Sequence, residues 1–158
     1  MMTKDMMTKN ESLEIMRARG KADAIALQER SADMTGTELY AEDKLIPDFK
    51  EAVKVKNMIE RKAGMTDGFV CKSSAGRIVR LLQNYDSNTY TAEPEELPAQ
   101  WGFKWSTDPK KALPFMSIAT SPYMKEDCCI WEDKIYKSKI SNNIHSPADY
   151  PMGWEEVE

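Results

Sequence analysis

The chain has 158 residues, with 22 Lys+Arg against 26 Asp+Glu and a formal net charge of −4. No basic surplus exists to neutralise phosphates, which argues against general nucleic-acid binding. No apolar run approaches the roughly 18 residues of a membrane span, and no charged-then-apolar leader marks a secretory signal. Residue use is uneven: all four Trp lie beyond residue 100, and seven of eight Pro lie beyond residue 93.

Residues 1–9 are rich in Met, Lys and Thr and are expected to form a flexible tail. Thr8-Lys9-Asn10-Glu11 has the spacing of a capping box, and helix-forming residues follow to about Ala32. Leu13, Met16, Ala24 and Leu27 share one face of that helix. A coiled-coil seam would need Asp23 at a core position, so packing within a domain or on a partner is expected instead. Thr35-Gly36-Thr37 breaks the pattern, and Glu38–Asp43 reads as a short connecting segment. Pro47 suits the first turn of a second helix, with Asp48 beside its positive end. Phe49, Ala52, Val53 and Ile59 form its apolar face, and Arg61, Lys62 and Gly64 its end. Residues 10–66 are therefore expected to be a helical assembly element.

The texture then changes. Phe69-Val70-Cys71 and Ile78-Val79-Arg80-Leu81-Leu82 are β-rich runs joined by the turn residues Ser73-Ser74-Ala75-Gly76, which predicts a hairpin. Those small residues could cradle an anion, but no Lys-Ser/Thr helix start follows, so a hairpin turn is the reading.

An internal repeat follows. Pro94-x-x-x-Pro98-x-x-Trp101 matches Pro147-x-x-x-Pro151-x-x-Trp154 at an offset of 53 residues. Arg77-Ile78-Val79-Arg80 matches Lys134-Ile135-Tyr136-Lys137 at an offset of 57. Each copy reads as a two-stranded ribbon, a crossing loop, two stiffening prolines and a Trp plug. The predicted fold class is α+β: the helical element, then two small tandem antiparallel β-modules at 67–112 and 113–158. Trp101, Trp154, Tyr136, Pro98 and Pro151 are the expected module core.

The cysteines, Cys71, Cys128 and Cys129, are odd in number and lack metal-ligand spacing. They are expected to be buried free thiols. The single histidine, His145, sits in a loop-like stretch, and the acidic pairs Glu95-Glu96 and Glu155-Glu156 read as solvated. No catalytic constellation, metal site or cofactor site is expected, and the chain is read as a non-enzyme.

The stretch Ser121–Ser138, with Tyr123, Asp127, Trp131, Lys134 and Tyr136, followed by Asn142-Asn143, Ser146-Pro147 and Tyr150-Pro151-x-Gly153-Trp154, resembles the type 3 chitin-binding module. That is a small carbohydrate-binding β-domain of chitinases and phage proteins. Glu126 stands where the family usually has Gly, and Glu132-Asp133 where it has Asn-Gly. Val79–Gln83 with Pro94 and Pro98-Ala99-Gln100-Trp101 resembles a degenerate second copy. Two helices plus two such units resemble a phage tail or tail-fibre-associated protein.

That resemblance implies a virion structural protein, made in a bacterial host cytoplasm, that docks through its helices and β-modules. The implied partners are other tail or fibre proteins, possible further copies of the chain (a trimer is the expectation), and no nucleic acid or membrane. It also implies an alternative, recognition of a host surface glycan. Sugar-binding members carry paired aromatics after the second strand, where this chain reads Ser138-Lys139-Ile140-Ser141. The aromatics left for a platform are Trp131, Tyr123, Tyr150 and Trp105.

Overall fold

The structure is a computed structural model that describes residues 22–55, 69–82 and 92–158, with side chains through Ala52 in the first stretch. The expected tail, the first helix before residue 22, and Ile59, Arg61, Lys62 and Gly64 lie outside the described residues.

The fold is α+β, with a short helical region followed by two small sheets. Helix α1 (residues 22–30) runs into a 3-10 turn, Ser31–Asp33. Helix α2 spans Gly36–Ala41, where a connecting segment was expected. Its signal is present in the sequence: Thr35 and Glu38 form a complete capping box, each side chain bonded to the other's backbone N–H. Gly36 is needed at that start because a Cβ there would lie 2.0 Å from the Trp105 carbonyl oxygen. Helix α3 spans Phe49–Val55, so Pro47 precedes it rather than forming its first turn.

Pro47 and Asp48 instead join the first sheet. The Lys72 N–H donates to the Pro47 carbonyl at 2.9 Å, and Asp48 bridges Lys72 in parallel. The sheet proper is a meander of β1 (Val70–Lys72), β2 (Ile78–Leu81) and β3 (Trp101–Phe103). The expected hairpin is therefore present, with Gly76 supplying a φ of 91° in its turn.

The second sheet holds β4 (Leu113–Pro114), β5 (Cys128–Trp131), β6 (Lys134–Ser138) and β7 (Trp154–Val157), in that order. It is mixed rather than purely antiparallel, because β4 runs parallel to β5.

The two sheets share one arrangement, and the correspondence reaches further than the Pro-Trp motif. Leu81 faces Trp101 across β2 and β3, and Ser138 faces Trp154 across β6 and β7, in the register that the two sequence offsets set. Cys71 pairs with Val79, and Cys129 with Tyr136, at matching places in the hairpins. Each hairpin also has a parallel edge segment, Pro47-Asp48 in one and β4 in the other, and a Phe follows each. Phe49 meets Trp101 edge-to-face at 5.8 Å, and Phe115 meets Trp154 in the same way at 6.0 Å. The parallel edge and its Phe went unread in the sequence, since Ile46-Pro47-Asp48-Phe49 and Ala112-Leu113-Pro114-Phe115 share only the Phe at the aligned position.

Alternation along the strands divides the burial. Cys71, Val79, Leu81, Trp101 and Phe103 of the first unit share one core with Tyr123, Cys129 and Trp154 of the second. Val70 and Ile78 point to the other face, under Leu27, Leu39, Tyr40 and Ile46 of the helical region. The Tyr40 hydroxyl pins this contact, accepting from the Ile78 N–H and donating to the Lys104 carbonyl. Gln28 adds two bonds to the Val70 backbone at 2.6 and 2.9 Å.

Two tight turns carry left-handed backbone without glycine. Glu126 has φ 82°, and Glu132 and Asp133 have 50° and 64°, at the positions where the resembling family places Gly and Asn-Gly. A non-glycine residue in this region costs roughly 1–2 kcal/mol. The Glu126 carboxylate offsets little of that, through an exposed 3.4 Å contact with Lys137. Glu126→Gly is therefore expected to stabilise the chain by about 0.5–1 kcal/mol. A rise in the urea midpoint at unchanged slope checks it, and a fall would contradict it.

Candidate functional site: the loop between β6 and β7

Two of the expected platform aromatics, Trp105 and Tyr123, are spent inside the molecule. Phe103, Trp105, Tyr123 and Phe115 form a ladder of near-parallel rings, with successive centroids at 6.1, 4.3 and 5.4 Å. Trp105 is 7% exposed and Tyr123 1%. Neither presents a ring face to solvent, which corrects their place in a surface platform. The physical reason is that each also satisfies buried polar groups. The Trp105 indole N–H donates to the Ser121 carbonyl, and the Tyr123 hydroxyl accepts from the Met116 N–H.

Trp101 and Trp154 are buried, and Tyr136 packs half-buried against the same core. Pro98 and Pro151 are exposed, contrary to the core expectation. The buried prolines of the motif are the first of each pair, Pro94 and Pro147. Pro98 sits in a turn and Pro151 opens a 3-10 turn, so both fix φ with the ring outward.

Two expected platform residues keep exposed surface. Trp131 is half-buried at the end of β5, edge-on to Phe115 at 5.9 Å. Tyr150 is 39% exposed, on the loop that joins β6 to β7. That loop also shows Ile144 and His145, and Met152 is 78% exposed.

The loop is held from below by Asn143, which is fully buried. Its amide nitrogen donates to Ser138 Oγ and to the Gly153 carbonyl, and its amide oxygen accepts from the His145 N–H. Its backbone pairs in both directions with Tyr123. Trp154 adds an indole bond of 2.8 Å to the His145 carbonyl. Ser146 turns the chain by accepting from the Asp149 N–H with its hydroxyl and from the Tyr150 N–H with its carbonyl. A Cβ on Gly153 would sit 2.7 Å from the Tyr150 ring, so this glycine leaves room for that ring. His145 meets Tyr150 edge-on at 5.8 Å. The result is a loop whose backbone is fixed from within while Ile144, Tyr150 and Met152 face out. Asn143 was visible in the sequence only as part of an Asn-Asn pair, with nothing to mark it as the buried anchor.

The hairpin turn of the first unit does meet anions, and both belong to the chain. The Ser73 hydroxyl donates to Glu95 Oε2 at 2.7 Å, and the Ser74 N–H donates to Glu93 Oε1 at 2.9 Å. Arg77 closes the group, with Nη1 at 3.0 Å from Glu95 Oε2 and Nη2 donating to the Pro114 carbonyl of the second unit. Glu95 is thus a mostly buried ion-pair partner rather than a solvated acid. A polar cleft of about 370 Å³ lies beside this turn, lined by Asp48, Lys50, Glu51, Lys72, Ser73 and Ser74, among others.

The three cysteines are free and buried. Burial pushes the Cys128 thiol up to about 11 and the Cys129 thiol up to about 12. Burial also raises the Tyr40 hydroxyl to about 12 and moves Tyr123 upward. Among the described residues, no group of three or more His, Cys, Asp or Glu is placed to hold a metal ion. No helix among them is long and apolar enough to cross a membrane.

These shifts fix the sign of an alkaline effect. Each group keeps its proton when folded at a pH where the unfolded chain has lost it. The folded state then binds more protons, and stability falls as pH rises from about 9 toward 12. Urea midpoints across that range check it, and a flat profile would contradict it. Native Cys128 and Cys129 are expected to resist iodoacetamide at pH 8 and to react on unfolding, since the thiolate is the nucleophile. Rapid native labelling, read by mass spectrometry, would contradict their burial.

The fold and loop together define an α+β protein with two small β-sheets and a displayed loop between β6 and β7. Comparison with family models, curated proteins and solved structures finds no match for this chain.

Proposed function

We propose that the chain is a non-enzymatic structural protein of a phage virion, associated with the tail, its fibres or the baseplate. It docks there through its helical region and its second β-unit. The observation that carries the docking role is the anchored loop, in which a buried Asn143 supports the outward Ile144, Tyr150 and Met152. Large side chains on a backbone ordered in advance give contact area with little ordering entropy lost on binding. The virion setting rests on the resemblance of residues 119–158 and of the two-unit arrangement to phage proteins.

The full chain mixed with the phage's tail or fibre components tests this, by size exclusion with light scattering. Co-elution that is lost in Tyr150→Ala/Met152→Ala, with circular dichroism unchanged, is the expected result. A strict monomer that joins none of those components would overturn it.

A second reading is recognition of a host surface glycan, favoured by the exposed face of Tyr150 and the half-exposed Trp131. Sugar rings stack on such aromatics, and Asp149, next to Tyr150 in the chain, is exposed to meet hydroxyl groups. A glycan array with the native chain, Tyr150→Ala and Trp131→Ala separates the readings. Binding that both variants lose supports this one, and no binding at millimolar sugar removes it.

A further inference from the structure

We draw no further inference here: the strongest candidate, the exposed patch of Ile144, Tyr150 and Met152 on the loop between β6 and β7, belongs to the site already described, and nothing in the structure shows what covers it.

Discussion

Replacing Arg77 by Ala is expected to cost about 3–5 kcal/mol of stability. The side chains of Arg77 and Glu95 are only 10% and 16% exposed, so solvent screens their contact little. The pair also ties three parts of the chain together: the first hairpin turn, the 3-10 turn Pro94–Glu96, and β4 of the second unit. Without the guanidinium, the Glu95 carboxylate stays buried with Ser73 as its remaining donor. Its other oxygen, Oε1, is already buried and unbonded among the described residues. Arg77→Lys keeps the charge but offers a point donor in place of a fork, so it cannot reach both Glu95 and Pro114 and should lose about half as much. Urea unfolding of Arg77→Ala, Glu95→Ala and the double variant gives the coupling. A double variant close to either single one fits a buried pair. A single-variant loss below about 1 kcal/mol would mean the pair is solvated.

Trp154→Ala is expected to cost a similar amount, about 3–5 kcal/mol. The variant removes a buried indole, two edge-to-face contacts (with Phe115 at 6.0 Å and Tyr123 at 5.4 Å), and the bond to the His145 carbonyl. Each ring pair contributes about 0.5–1.5 kcal/mol beyond its buried area. Trp154→Phe keeps part of the ring packing but not the indole bond. It should therefore recover stability while leaving the loop looser, which hydrogen exchange at the His145 and Tyr150 amides reads. Equal exchange in Trp154→Phe and the native chain would mean the indole does not anchor the loop.

The sequence showed the repeat because Pro and Trp are rare and their roles are local. A proline fixes its own φ, and a Trp at a strand start needs a core wherever the chain places it. The register followed from two offsets, since β pairing counts residues one for one. The parallel edges did not show. Leu113-Pro114 is too short to carry a strand pattern, and Pro47 beside Asp48 satisfies the rules for a helix start as well as those for an edge. Helix α2 was hidden because Gly36 reads as a breaker. Its real reason is the close approach of Trp105, which lies 69 residues away in the chain.

The site was half legible for a related reason. An aromatic in a small β-unit can be a core plug or a binding face, and composition does not distinguish the two. Trp105 and Tyr123 went inward because Ser121 and Met116 offered polar partners there. Tyr150 stayed outward, its ring lying over Gly153 and edge-on to His145. Glu95 next to Glu96 read as a solvated pair, and only the fold brings Arg77 to it.

One core shared by two equivalent units is tested most directly by native-state hydrogen exchange on Trp154→Ala. The Ser138 amide reports the second unit, through its bond to Asp127, and the Leu81 amide reports the first, through its bond to Phe69. A shared core predicts that both amides lose the same protection, equal to the loss of global stability. Loss at Ser138 with Leu81 unchanged would show two independently stable units and would contradict the shared core.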